Sequence, residues 1–414
     1  MPIYKTIEER VELLRRLNAH YSFVFYLESN EYSDAFGKYE WLIFAGNEPG
    51  VQQSSSEVSW DVLSNWSETN AGTFRAGFIT YEAGSGQIDK DSIGFPAMFF
   101  FEPEFIRGKK RNGTYISKGA EPNNLQKEDK SQAPLPDNNM SFDSIGKNAY
   151  LDRFEQIRAH LQRGNIYEVN FCQAFEGNRK QLDPFNTWMR LNQLSPAPFS
   201  CIVKHGDAWV LGASPERFLC KRQHDIVSQP IKGTTKRTGD PAEDFELGQK
   251  LESSEKERRE NIMIVDLVRN DLSASLLPGS VHVQELCGVY PFAKVQHLIS
   301  TICGKLPEGS QGVKTIQKAF PMGSMTGAPK QKAMEIAKEQ ETFSRGIYSG
   351  TIGFFDPDND FDFSVVIRSI FWNQASGQIR FAAGSAITIG AEPSAEYDEC
   401  MLKAESIIEC LQDV

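Results

Sequence analysis

The densest chemical signal in the sequence is PIKGTTKRTGD, residues 230–240, in which Lys232 stands between Ile231 and Gly233. A lysine with an apolar neighbour, and with Lys236 and Arg237 nearby, can be driven toward its neutral amine, which is a nucleophile. The same residues also read as a solvated basic turn whose free backbone N–H groups suit an anion. Sixteen residues upstream, Glu216 in ASPERF is either a strand-end cap or a general acid. Beside a reactive lysine it would protonate a departing hydroxyl. Two carboxylate pairs, Glu257/Glu260 and Glu396/Glu399, have i, i+3 spacing, which on a helix sets both members on one face. Each pair borders an apolar run, so each helix needs a buried side. Two such pairs facing one another suit Mg²⁺, a hard cation that takes oxygen ligands. Lys403 follows Glu399 by one turn and bridges to it in the plainest reading. His297, in VQHLIS, is a satisfied core imidazole or a general base. Arg368, in VVIRSIF, puts a charge in a strand that reads as buried, so an anion must accompany it. A ligand carboxylate would serve, gripped by the guanidinium and by backbone donors of Gly384-Ser385.

Helices and strands must hold these groups together. Residues 149–163 carry Leu151, Phe154, Ile157 and Leu161 at helical spacing, and Gly164-Asn165 ends that helix. One long charged helix is expected over 242–260, running on into NIMIVDLVRNDL. A closing helix is expected from about residue 395, capped by Ser394, with Cys400, Ala404, Ile407 and Leu411 as its inner stripe. Runs rich in aromatic and β-branched residues predict strands at 21–29, 74–83, 97–105, 200–204, 208–211, 280–286, 350–355, 363–372 and 378–383. Helices and strands without regular βαβ alternation indicate an α+β fold with antiparallel sheets. Residues 108–147 are rich in Lys, Asn, Pro, Gly and Ser and read as a long connection with one short strand at most. They divide the chain into an N-terminal part, 1–107, and a C-terminal part, 148–414, as separate domains or as one body.

The 414 residues hold 44 Lys+Arg against 55 Asp+Glu, a formal net charge of −11. That balance argues against nucleic acid or an anionic membrane surface as the main partner. Seven scattered cysteines without a CxxC pattern fit a reducing compartment. The N-terminal residues lack the apolar stretch of a signal peptide, and no run approaches the roughly 18 apolar residues of a membrane span. A cytoplasmic protein is expected.

Ten segments occur in order between Ile166 and Lys403: IYEVNFCQ, ASPERF, PIKGTTKR, ENIMIVDLVRNDL, VQHLIS, FPMGSMTGAPK, YSGTIGFF, VVIRS, AAGSAI and AEYDECMLKA. Together they resemble the chorismate-utilising enzymes. The resemblance implies a two-sheet antiparallel β core, sandwich-like and wrapped by helices, to which the N-terminal part contributes. Three features resemble the branch that aminates chorismate at C4 without loss of pyruvate. Lys232 stands where the anthranilate-forming branch has Ala. Position 168 lacks the lysine base of water-using relatives, and Asn170 matches an Asn of the C4-aminating branch. Glu168 departs from the Gln more usual in ammonia-using relatives, and Ser273, Ser385 and Ala386 each replace a glycine.

The resemblance also assigns roles. Neutral Lys232 would attack C2 while Glu216 protonates the departing hydroxyl, and ammonia would then attack C4 and expel the lysine. His297 and Asn170 belong to the same catalytic group. Glu260 and Glu399 would hold Mg²⁺, supported by Glu257 and Glu396. Arg368, Tyr348 and Gly384-Ser385 would hold the enolpyruvyl carboxylate, with Gly233 and Thr234 toward the ring carboxylate and Lys403 close by. The sequence has no glutaminase signature, so ammonia would come from a separate glutamine amidotransferase subunit. Leu27-Glu28-Ser29 and the run containing Pro196 and Phe199 resemble segments that form a tryptophan pocket in relatives, making tryptophan a candidate ligand. Two other readings stay open. One is anthranilate formation, distinguished by its product. The other is a non-catalytic chorismate-binding subunit, against which the joint presence of Lys232, Glu216 and four glutamates stands.

Overall fold

The structure, a computed structural model, describes residues 4–54, 58–84, 93–122, 141–310 and 312–412. Two ten-stranded antiparallel sheets form the core. The first runs, edge to edge, Gly327–Ala328, Glu168–Asn178, Gln378–Thr388, Ser369–Asn373, Ala208–Ser214, Phe199–His205, Phe23–Glu28, Tyr39–Gly46, Phe105–Lys110, Tyr115–Lys118. The second runs Ile231–Lys236, Val295–Lys305, Asp225–Gln229, Arg217–Arg222, Phe361–Val365, Thr351–Phe355, Arg75–Ile79, Met98–Phe101, Val51–Gln53, with His282–Pro291 also paired to Val295–Lys305. Strands from both ends of the chain therefore share each sheet. Phe25 of the first sheet packs against Phe78 and Phe99 of the second, with ring centroids 6.4 Å apart in both cases. Helices Ile7–Asn18, Pro184–Leu194 and Pro393–Gln412 cover the other face of the first sheet. This is the expected α+β arrangement, with no closed barrel.

Local chemistry sets the element boundaries. Thr6 and Glu9 form a reciprocal capping box that starts the first helix. The long charged helix expected over 242–260 is two helices, Pro241–Ser253 and Glu255–Ser273. Asp240 caps the first, and Ser254, held extended (φ −65°, ψ 111°), ends it and caps the second through Glu257 N–H. The break re-aims the second helix, which carries Glu257 and Glu260. The closing helix starts at Pro393, so Ser394 lies inside its first turn; proline at the first helical position leaves no N–H unpaired. Its expected inner stripe is buried.

Two expected strands are each divided between the sheets. Residues 97–105 supply Met98–Phe101 to the second sheet and begin Phe105–Lys110 in the first. Residues 363–372 divide into Phe361–Val365 in the second sheet and Ser369–Asn373 in the first. The chain turns between them at Arg368, whose φ of 52° is unusual for a side chain with a Cβ. It passes the opposite way between Ser214 and Arg217, and the turn there holds Glu216. The two crossings are bonded to one another: Ala213 N–H donates to Arg368 O (3.1 Å), and Val365 N–H to Glu216 O (3.0 Å). Of the stretch 108–147, the first residues complete a hairpin, Phe105–Lys110 with Tyr115–Lys118. Residues 123–140 of that stretch lie outside those described. Among the described residues no helix is long and apolar enough to cross a membrane.

Candidate active site

The segment 230–240, read as a turn, is an edge strand with a defect. Ile231 pairs with Ile299 and Thr234 with His297, so the register slips across Lys232 and Gly233. A bulge there, with Gly233 at φ 92°, turns the Lys232 side chain off the ladder. Asn261 of the Glu255–Ser273 helix fixes the bulge: its amide donates to the carbonyls of Lys232 and Leu298, each at 3.3 Å. Lys232 Nζ lies 2.9 Å from Glu168 Oε1, the first residue of its strand. Burial pulls the lysine toward neutrality, but the carboxylates of Glu168, Glu260 and Glu399 outweigh it and hold the ammonium above its ordinary pKa. The expectation of a depressed pKa is thereby corrected, because three carboxylates surround the amine.

Glu216 occupies the crossing between the sheets and is buried at 4% exposure. Ser324 Oγ donates to its Oε1 at 2.6 Å. Burial, only partly offset by Ser324 and Lys232, raises its pKa to about 7. It therefore holds a proton near neutral pH, as a general acid must. His297 is also buried, its Nδ1 sharing a 2.9 Å hydrogen bond with Thr234 Oγ1. Burial and the Arg368 charge push its pKa down to about 3. A base must accept a proton, and these surroundings oppose that; His297 orients Thr234 as a neutral ring. Asn170 Nδ2 reaches Ser324 O (3.3 Å) and Met325 Sδ (3.5 Å), on the segment that also carries the Ser324 hydroxyl.

Both carboxylate pairs lie on helices, as their spacing implies. Burial raises Glu257, Glu260 and Glu396; Glu399 adds to the rise of Glu257 and Glu396, and Glu168 and Glu257 to that of Glu260. Glu260 reaches about 7, and its Oε1 is buried without a hydrogen-bond partner. Lysines stand between the acids: Lys403 on Glu399 at 2.5 Å and Lys256 on Glu396 at 3.4 Å. Lys403 holds Glu399 below the usual carboxylate range despite burial. Among the described residues no three carboxyl, imidazole or thiol groups are gathered closely enough to form a ready-made metal cage. The donor chemistry nevertheless fits a hard dication, since Glu260 presents a buried oxygen with no proton donor.

The expected anion grip assembles in part. Among the described residues no carboxylate pairs with Arg368, whose guanidinium donates to Lys403 O at 3.2 Å. Burial lowers its pKa. Beyond Arg380 the Gln378–Thr388 strand keeps its Glu168–Asn178 partner but, among the described residues, has no strand on its other side, so Gly384 and Ser385 have one backbone edge without a strand partner. Part of that edge is taken, because Lys403 Nζ donates to Gly384 O at 2.8 Å. A Cβ at Gly384 would lie 2.5 Å from Cys172 Sγ. Ser385 Oγ bonds Tyr150 OH at 3.0 Å, and Tyr348 OH reaches Cys172 Sγ at 3.6 Å, while Tyr348 is near enough to Arg368 to be felt by its charge. Of the expected tryptophan pocket, Leu27, Glu28, Ser29 and Phe199 line one cavity. Pro196 is not in its wall; its carbonyl accepts the Tyr32 hydroxyl at 3.1 Å.

A family model described as chorismate binding enzyme matches residues 24–409. The chain belongs to the chorismate binding enzyme family. Aminodeoxychorismate synthase component 1 of Klebsiella aerogenes is 40% identical over 269 residues, 65% of this chain and 59% of its own length. The protein of that name from Escherichia coli K12 is 39% identical over the same shares, and anthranilate synthase component 1 of Haloferax volcanii is 33% identical over 274 residues, 66% and 52%. The matches thus span less than two thirds of those relatives. Anthranilate synthase component I from Streptococcus pneumoniae superposes with a TM-score of 0.70 at 27% identity, over 82% of this chain and 81% of its own. The menaquinone-specific isochorismate synthase of Escherichia coli, at 18% identity, shares the fold with a TM-score of 0.76 over 97% and 91%.

Sequence reading missed Ser324, Asn261 and Lys256. Ser324 sits in FPMGSMTGAPK, a segment already notable for Pro and Gly, but nothing in it points to Glu216. Replacing Glu216 by Gln keeps shape and removes the proton. A raised carboxyl pKa stabilises the fold below the ordinary glutamate pKa, and that contribution is lost as pH climbs through about 7. Glu216→Gln should therefore unfold at higher denaturant than the parent at pH 8, by up to roughly 3 kcal/mol, with the gap closing at pH 5. Equal stability at both pH values would show that the carboxyl is not desolvated.

Proposed function

We propose that this chain replaces the C4 hydroxyl of chorismate by an amino group, giving 4-amino-4-deoxychorismate, with ammonia supplied by a separate glutamine amidotransferase subunit. The observation that carries this reading is a buried lysine and a buried, proton-holding carboxyl within electrostatic reach of one another, with Glu168, Glu260 and Glu399 acting on the same lysine. Relatives near 40% identity that bear the aminodeoxychorismate synthase name support it. Lys232 bonds to C2 as Glu216 protonates the leaving hydroxyl; ammonia then bonds to C4 and the C2–lysine bond breaks. The route divides one difficult substitution into two. Arg368, the open edge at Gly384-Ser385 and Tyr348 take the enolpyruvyl carboxylate, while Gly233 and Thr234, steadied by His297, line the other side of the ring. Asn170 holds the segment carrying Ser324.

Enzymes of this family are generally Mg²⁺-dependent. Here Glu257, Glu260, Glu396 and Glu399 would hold the ion, which when bound neutralises the carboxylates and the ring carboxylate of the substrate. Lys256 and Lys403 would then give up their present partners. The cavity lined by Leu27, Glu28, Ser29 and Phe199 is assigned to tryptophan, whose amino group would meet Glu28, a carboxylate already bonded by Asn30 N–H (3.0 Å) and Arg10 (3.2 Å).

Turnover of chorismate with Mg²⁺ and an ammonium salt, product identified by mass, tests the activity; anthranilate as the product would move the chain to the anthranilate-forming reading. Lys232→Ala should still bind chorismate but lose at least a hundredfold in C4 amination, and undiminished amination would return Lys232 to a structural role. Glu260→Gln should bind Mg²⁺ at least tenfold more weakly by calorimetry, and an unchanged affinity would remove Glu260 from the metal set. Tryptophan should raise the melting temperature by a few degrees through preferential binding to the folded state; no shift would leave the cavity without that ligand.

A further inference from the structure

A nucleophilic lysine must first lose a proton, and the structure holds Lys232 as an ammonium. Its partner is unusual among the buried ion pairs of this protein. Glu341, which pairs with Arg345, is fully engaged: it accepts from Arg345 Nε (2.9 Å), from Nη2 (2.6 Å) and from Cys172 N–H (3.0 Å). Glu168 is as deeply buried, at 1% exposure, yet among the described residues neither of its oxygens has a well-formed hydrogen bond. Among the described residues the Lys232 ammonium, at 2.9 Å, is its one ionic partner. A proton passing from the ammonium to the carboxylate across this 2.9 Å contact removes two buried charges at once.

We propose that Glu168 is the proton acceptor for Lys232, taking its proton before C–N bond formation and returning it when the lysine leaves. This rests on the reading of Lys232 as nucleophile. The steps balance. Lys232–NH₃⁺ and Glu168–CO₂⁻ become Lys232–NH₂ and Glu168–CO₂H. The amine bonds to C2, the C4–O bond breaks, and Glu216 supplies the proton that completes water. Ammonia bonds to C4 as the C2–N bond breaks, and the new C4 ammonium gives a proton back to Glu216. The freed lysine recovers its own from Glu168. The sum is chorismate plus ammonia giving aminated product plus water, with both carboxyl groups restored. The proton of the first step never enters solvent, so the reactive form of the pair is a fixed fraction wherever the pair holds one proton in total.

Other charged groups face this pair from neighbouring elements: Glu216 at the sheet crossing, Glu257 and Glu260 with Lys256 on one helix, Glu399 with Lys403 on the other. Glu260 draws part of its rise from Glu168, so Glu168→Asp, which keeps that charge, is the control for Glu260, and a ratio of rates removes the titrations that parent and variant share. The measurement is the rate at which chorismate, with Mg²⁺ and no ammonia, forms a mass adduct on the peptide carrying Lys232. In Glu168→Gln the lysine must shed its proton to solvent. The ratio of variant to parent rate should therefore climb about tenfold per pH unit between pH 5.5 and 7.5, whereas Glu168→Asp should restore a flat ratio. A flat ratio for Glu168→Gln would overturn the proposal and leave Lys232 as nucleophile with some other base. Absence of any adduct in the parent protein would overturn the Lys232 reading, and this proposal with it.

Discussion

Six carboxyl groups, those of Glu168, Glu216, Glu257, Glu260, Glu396 and Glu399, lie in buried or half-buried surroundings and are linked electrostatically, to one another or through Lys232, Lys256 and Lys403. Repulsion among acids in such a setting is large, and the rest of the site is arranged around it. Three ammonium groups relieve it locally, with Lys232, Lys256 and Lys403 set against Glu168, Glu396 and Glu399. Where a cation is close, as at Glu399, the acid stays ionised; where none is bonded, as at Glu260, burial shifts it toward the protonated form. Glu216 belongs to the second kind and is for that reason suited to donate a proton. The division of labour among chemically identical side chains follows from how closely a lysine approaches: Lys403 at 2.5 Å keeps Glu399 ionised, whereas Lys256 at 3.4 Å does not offset the burial of Glu396.

The fold supplies this spacing through irregularities in otherwise regular elements. A bulge aims Lys232, a one-residue break between two helices aims Glu257 and Glu260, and a pair of sheet crossings holds Glu216 next to the Arg368 turn. None of these is a flexible loop. Each is pinned by bonds from a neighbouring element, Asn261 to the bulge and the two crossings to each other. Precise placement of this kind is what proximity effects in catalysis require.

Much of this was legible in the sequence, and what escaped it has a physical explanation. The apolar stripe of the closing helix and the aromatic strands are written as local periodicity, so they emerge directly. The i, i+3 acid pairs likewise fall on helix faces as their spacing requires. Crossings between sheets leave no such trace: VVIRSIF is β-like on both sides of Arg368, and only the pairing partners reveal that its halves belong to different sheets. The charge state of Lys232 was equally hidden, because the acids that set it lie 28 to 167 positions away in the sequence. The composition of 230–240 suggested a turn, yet tertiary pairing with Val295–Lys305 draws it into a strand.

The interleaving of the two sheets also governs how this molecule must be made. A ribosome releases Phe23–Glu28 long before Phe199–His205, the strand that flanks it, and Glu168–Asn178 long before its partner Gln378–Thr388. Arg75–Ile79 waits longer still for Thr351–Phe355. During synthesis the nascent chain therefore carries aromatic strands with unpaired edges, the kind of surface that draws chains to one another. Neither sheet is complete until Phe361–Val365 and Gln378–Thr388 have emerged, so the final assembly is a late event, and cellular yield depends on shielding those edges until then.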